Sequence, residues 1–176
     1  MPYRNEDLER AIDARLQGAM AAALLAVVAR WAEIDDVALT EPVSWYRGYR
    51  SLLLETPSSS FPIVWTWAHQ RAPVGGVKSR MQGVRAEVAI QVWLAEDTEA
   101  IANTVGHRYT EAIIDILQAQ KVIGGWSQVN FEPAAEQTQS IVHLRAGSTG
   151  DYENANDIDY IRMVEVTVIF ESLDTI

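Results

Sequence analysis

The chain has 176 residues, 48% hydrophobic and 22% charged, a balance typical of a globular domain with its own core. It contains no cysteine, which excludes disulfide scaffolds and thiolate metal sites and fits a reducing cytoplasm. A formal net charge of −10 argues against a protein that works mainly by coating nucleic acid. The most apolar run, 19–29, is shorter than the roughly 20 residues that span a bilayer and follows no basic leader. We therefore expect a soluble protein without anchor or signal peptide.

The first predicted element is a long helix over 1–32, with Asn5 as a cap. Its apolar positions keep helical spacing for about seven turns: Leu8, Ile12, Leu16, Met20, Ala23, Leu24, Val27, Val28 and Trp31. In the first half we place the charged residues opposite that stripe: Glu9, Arg10, Asp13 and Arg15. Residues 18–29 are small and apolar nearly all round, which predicts either a central core helix or an outer face that meets another subunit.

Residues 33–49 predict a connection with one short strand near 37–39. Aromatic and basic residues then cluster: Trp45, Tyr46, Arg47, Tyr49 and Arg50. Such a cluster can bind nucleic acid through stacking and phosphate contacts. Because no Gly-rich or strand context accompanies it, we favour packed aromatics with solvated arginines.

Two β-rich runs, 63–69 and 84–94, predict an antiparallel hairpin with a long tip over 71–83. Every even position of 84–94 is apolar, so we expect one buried face and one mostly wet face. From Thr56 to Ala86 there is no acidic residue. The hairpin is therefore locally basic in a chain of negative net charge, and we call it the basic hairpin. It is predicted to be an interaction surface, and its basic residues are Arg71, Lys78, Arg80 and Arg85.

A second helix is predicted to begin at Asp97 or Thr98 and to run to Gln120, with Gly124-Gly125 after it as a stop signal. Its stripe is Ile101, Val105, Tyr109, Ala112, Ile113, Ile116 and Leu117. Strands are predicted over 126–131, 140–145 and 160–171, the last with Val164, Val166, Val168 and Phe170 on one face. The segment 147–159, between the last two of these strands, has no basic residue. It is the acidic counterpart of the hairpin, with Asp151, Glu153, Asp157 and Asp159.

The sequence shows no catalytic pattern. His69, His107 and His143 have no partner at metal-ligand spacing, and 75–79 lacks the glycine before lysine that a phosphate loop requires. The acids of 151–159 do not follow calcium-loop spacing, so a solvated loop is favoured. We expect no enzymatic activity, no metal and no cofactor. The oppositely charged loops are consistent with a head-to-tail contact between identical subunits, with ordinary charge scatter as the alternative.

The ordered layout resembles the tail terminator and tail completion (head–tail joining) proteins of long-tailed bacteriophages and prophages. The resemblance spans about residues 16–171 and is carried by 24–29 in the first helix, 61–65, the Gly-rich hairpin tip and the strand 84–95 before a helix near Thr98. It continues with Asp151-Tyr152 and the closing strand 160–170. The chain departs from the family in its longer first helix and an insertion around 42–54.

The resemblance implies a single α+β domain over 1–176, with the second helix and a mostly antiparallel sheet over 61–171 and helices on one face. It implies a homo-oligomeric ring, typically hexameric, in the virion tail or neck, assembled in the host cytoplasm. The partners would be the tail tube protein and neck or connector proteins, with non-specific contact to DNA passing through the lumen and no membrane. A neck, head-completion or minor tail protein of the same fold is the near alternative. A small-molecule-binding or enzymatic α+β domain is the alternative from another class.

Overall fold

The computed structural model describes residues 5–48, 61–74, 81–131, 139–144 and 158–175. Within these residues, two helices and seven strands follow one another. In order they are α1 (Asn5–Trp31), β1 (Ser44–Arg47), β2 (Ile63–Val74), β3 (Met81–Glu96), α2 (Glu99–Ala119), β4 (Val122–Ile123), β5 (Trp126–Phe131), β6 (Gln139–Leu144) and β7 (Ile158–Thr175).

The strands form one sheet in the order β1-β2-β3-β7-β5-β4, with β6 also paired to β7. Strands β3 and β7 pair antiparallel along almost their whole lengths. On the other edge of β7, β5 pairs with 168–171 and β6 with 158–163. Among the described pairings only β1 with β2 is parallel. The predicted mostly antiparallel α+β fold with a long hairpin is confirmed.

One face of the sheet and both helices enclose the main core. On the sheet side, Val84 is partly buried and the following even residues of β3 and β7 are buried: Ala86, Val88, Ile90, Val92 and Leu94 with Val164, Val166, Val168 and Phe170. α1 and α2 pack on this same face, and each large aliphatic side chain buried there contributes about 1.5–3 kcal/mol. The predicted buried face and the placement of helices on one face are confirmed.

The opposite face of the sheet is less exposed to solvent than the sequence predicts. Trp93 of β3 is buried in a second cluster with Phe61, Ile63 and Met163. Ala89 is also buried. Cross-strand neighbours explain this burial, because the register aligns Ile63, Trp93 and Met163 in one row across β2, β3 and β7.

Helix α2 begins and ends where the sequence predicts. The Thr98 hydroxyl accepts a hydrogen bond from the Ile101 N–H at 3.2 Å, which confirms the N-cap, although Ile101 itself is 39% exposed and not in the core. The helix ends at Ala119 with Gln120 as its C-cap, which confirms the predicted end; the two glycines lie beyond β4 and do not terminate it. Gly124 and Gly125 instead form the turn between β4 and β5, with φ of 58° and 84°, values that suit glycine in a tight hairpin.

Helix α1 lies on the sheet with its stripe from Leu8 to Val27 buried. Its outer side is open to solvent, since Ala22, Ala26 and Ala29 are exposed and Leu25 is 71% exposed. The interpretation as a central core helix is therefore wrong for this side. The apolar run 19–29 is shorter than a membrane span, but the whole of α1 could cross a membrane by length and hydropathy; 33% of its most apolar stretch of 18 residues is buried in this structure.

The segment after α1 is not a strand at 37–39, which corrects that prediction. Its backbone bonds to side chains of α2: Arg108 donates to the Val37 carbonyl at 3.2 Å, and the Tyr109 hydroxyl donates to the carbonyl of Thr40. Arg108 is buried and also binds both carboxylate oxygens of Asp35. These hydrogen bonds to α2 satisfy the carbonyls of Val37 and Thr40 without a neighbouring strand. The first strand after α1 is therefore β1, at Ser44–Arg47.

Candidate interaction surfaces

The aromatic and basic cluster near β1 does not form one surface. Trp45 packs against the main core, whereas Tyr46 packs on the opposite face of the sheet, edge-to-face with Trp65 at 6.2 Å between ring centroids. Strand alternation separates them. For these two residues the interpretation as packed aromatics is confirmed; Tyr49 and Arg50 lie outside the described residues.

The basic hairpin gathers its described arginines at one end of the sheet. Arg71 lies in β2 opposite Ala86, and Arg85 lies in β3 opposite Ala72. Both strands extend further than predicted, to Val74 and from Met81, so the tip is shorter than 71–83. Lys78 and Arg80 lie outside the described residues.

Arg85 has a partner within the chain. Its guanidinium donates to Glu171 of β7 at 2.7 and 2.9 Å, in a directly paired position of the register, and both side chains remain partly exposed. An exposed pair of this kind contributes about 0–1 kcal/mol and leaves the arginine accessible. Its role in an interface remains a prediction.

The one described acidic candidate lies at the other end of the sheet. Asp159 is the second residue of β7 and pairs with His143 of β6. Twelve residues of β7 separate it from Glu171, a span of about 40 Å in an extended strand. Asp151, Glu153 and Asp157 precede β7 and lie outside the described residues. Among the described residues, the sheet thus places Asp159 far from Arg71 and Arg85.

A polar contact between α1 and β2 was missed by the sequence analysis. β1 ends where the Gly48 N–H donates to the Thr66 carbonyl at 3.0 Å, so two residues further on Ala68 faces the same edge. There the Ala68 N–H donates to Glu9 Oε1 at 2.8 Å, and Asn5 Nδ2 donates to the Ala68 carbonyl at 3.4 Å. Side chains of α1 thus take the place of a neighbouring strand, directly before the bulge in β2 between Ala68 and Gln70.

Beside this contact, a groove of about 290 Å³ separates α1 from the end of β1. The groove is lined by Glu6, Glu9, Arg10, Arg47 and Gly48. Asp13 lies next to it, with its Oδ2 3.6 Å from Arg47 Nε. We call this groove, with Asp13 beside it, the α1–β1 groove.

Burial perturbs two carboxyl groups at the α1–β1 groove. Glu9 is only 6% exposed and Asp13 only 7%, and desolvation raises the pKa of each above its usual value. The hydrogen bond from Ala68 to Glu9 and the charge of Arg47 lower these pKa values, but by less.

Our placement of Glu9 and Asp13 on the outer side of α1 is therefore wrong. Both residues directly follow members of the buried stripe, Leu8 and Ile12, so they flank it at about 100° around the helix. Because α1 lies over β1 and β2, the covered arc is wide enough to include them. The sequence did contain a signal that these two residues act together, because a spacing of four residues places both acids on one face of the helix.

The described residues contain no group of three or more His, Asp and Glu side chains that could hold a metal ion. His107 is exposed on α2. The α1–β1 groove pairs carboxylates with arginines, a chemistry suited to binding charged groups and not to nucleophilic attack.

No protein-family model matches the sequence, and no curated protein matches it. Among solved structures, the chain is similar to a chain of the virion of a native gene transfer agent particle. The two share 16% identity, and the match covers 86% of this chain and 98% of that chain with a TM-score of 0.31. At this TM-score the two backbones differ too much for function to be carried over.

Proposed function

We propose that this chain is a virion structural protein of a long-tailed phage or prophage, a tail terminator or tail completion subunit at the head–tail junction. It would form a ring, typically of six copies, that caps the tail tube and presents a surface to the neck. The ordered layout of its sequence supports this proposal, and so does the confirmed α+β fold with helices on one face.

The observation that carries the proposal is the polarity of the sheet. The basic hairpin lies at one end of β7, and Asp159 lies at the other, about 40 Å away. Asp159 is too far from Arg71 and Arg85 to pair with either within one subunit, although Arg85 already pairs with Glu171. Charges of opposite sign at the two ends can pair between subunits in a head-to-tail contact, which generates a ring when the rotation closes.

The length of the strands also suits an assembly subunit. β3 has 16 residues and spans about 50 Å, whereas the α2 helix that packs on it spans about 31 Å. At the hairpin end of the sheet, β2, β3 and β7 all extend past the paired residues Arg85 and Glu171. Such an extension adds backbone pairing at the hairpin end of the sheet, where we propose that a neighbouring subunit packs.

The test combines a mass measurement in solution with negative-stain imaging and a tube-binding assay. We expect rings of several 19.6 kDa copies that bind the ends of isolated tail tubes and halt their elongation. A strictly monomeric protein at high concentration that also ignores tube ends would overturn the proposal. Binding to tail-less heads instead of tubes would identify a neck or head-completion protein.

A further inference from the structure

We propose that residues 32–43, which connect α1 to β1, form a strap that opens as a unit while the sheet and both helices stay folded. Its latch is the buried guanidinium of Arg108 on α2, which holds the strap at Asp35 and Val37. Opening exposes this guanidinium and the hydroxyl of Tyr109, so these two donors of α2 are available only in the open state. The inference does not depend on the proposed ring.

The strap lies outside the helices and strands, and its backbone is fixed only at its two ends. At the first end, the Asp35 N–H donates to the Trp31 carbonyl at 3.2 Å. At the second end, the Val43 N–H donates to the Pro62 carbonyl at 2.9 Å. Among the described residues, no backbone–backbone hydrogen bond reaches 36–42. A segment without such bonds opens at a lower free energy than the paired strands of the sheet.

Side chains of two consecutive residues of α2 close the middle of the strap. Arg108 donates to both carboxylate oxygens of Asp35 at 2.5 and 2.6 Å and to the Val37 carbonyl at 3.2 Å. The Tyr109 hydroxyl donates to the carbonyl of Thr40. Because one guanidinium makes most of these contacts, its release frees the whole middle of the strap.

Apolar contacts add little to these anchors. Val37 and Leu39 are only partly buried against the main core. The large apolar residues near the two ends of the strap do not pack into the core, since Ile34 is 71% and Val43 60% exposed. Opening therefore exposes little additional apolar surface, and it lets water reach Arg108 instead of leaving a buried charge unpaired.

Native-state proteolysis tests the strap in the full-length protein, with mass spectrometry to locate each cut. Thermolysin cleaves before large apolar residues, and the strap offers Ile34, Val37, Leu39 and Val43. When opening is fast relative to cleavage, the cleavage rate reports the open population. We expect cuts within 32–43 whose rate depends less on urea than global unfolding does, because a local opening exposes less surface.

Asp35→Asn should raise the rate of cleavage in the strap about tenfold, since it removes the negative charge that pairs with Arg108. Asp36→Asn is the matched control, because it makes the same change at the next, exposed position and should be cleaved like the wild type. Cleavage of the strap with the same urea dependence as global unfolding would overturn the proposal. Equal cleavage rates for the two variants would overturn the role of Arg108 as the latch.

Discussion

Gly106 of α2 touches Val164 of β7 so closely that a Cβ on the glycine would lie 2.8 Å from Val164 Cγ1. This contact sets the distance between the helix and the centre of the sheet. Arg162, one register step along the same face, would lie 3.4 Å from that Cβ. Only a residue without a side chain lets α2 approach the sheet this far.

Gly106→Ala should therefore lower stability although alanine is the better helix former. Overpacking costs about 1–3 kcal/mol, and the gain in helix propensity is about 1 kcal/mol. The control is Gly18→Ala on α1, where a Cβ meets nothing within 4 Å. Thermal unfolding should show a lower melting temperature for the first variant and a higher one for the second. Equal shifts would contradict the close contact.

Val88→Asp should prevent folding. Val88 is fully buried in the main core, and an aspartate there would be an unpaired buried charge. Arg85→Gln, three residues earlier on the same strand, is the control, because it removes only a partly exposed ion pair worth about 0–1 kcal/mol. Circular dichroism and solubility report the outcome. Soluble, normally folded Val88→Asp protein would show that the face is wrongly assigned.

Glu9 makes stability depend on pH in a specific direction. Burial raises the pKa of its carboxyl above the usual 4.5, so the folded state binds the proton more tightly than the unfolded state. This contribution is fully present below pH 4.5 and is lost as the pH rises through the raised pKa. Glu9→Gln keeps an oxygen for the Ala68 N–H and cannot ionise, so its stability relative to wild type should grow with pH above 4.5 and then level off.

The comparison uses chemical denaturation at protein concentrations that keep the chain monomeric. Glu9→Ala is the control, because it leaves the buried Ala68 N–H without an acceptor and should lose about 1–3 kcal/mol across the pH range. Parallel stability curves for Glu9→Gln and wild type would show that Glu9 titrates alike in both states.

The basic hairpin should matter for assembly and not for folding. Replacing Arg71, Lys78 and Arg80 by serine should leave the melting temperature nearly unchanged and weaken ring formation, more strongly at low salt than at high salt. Lys121→Ser, an exposed lysine outside the hairpin, is the control. Unchanged ring formation by the triple variant, measured by light scattering, would mean that the hairpin is ordinary solvated surface.

Local periodicity was sufficient for the elements that repeat a simple pattern. The even residues of β3 from 86 to 94, those of β7 from 164 to 170 and most of the α2 stripe are buried as predicted, since the alternation of a strand and the turn of a helix are properties of neighbouring residues. The placement of Arg71 and Arg85 in one hairpin also followed from sequence, because the two strands that carry them are adjacent along the chain.

Only the tertiary structure decided the features that depend on distant partners. The parallel pairing of β1 with β2 brings together segments that are far apart along the chain, and the close approach of Gly124 to Ala11 joins the β4–β5 turn to α1. Glu9 and Asp13 are charged residues on a helix, and the sequence alone predicts that their side chains are exposed to solvent. They are buried because α1 lies across the end of β1, where the edge of β2 needs acceptors and donors that no strand supplies.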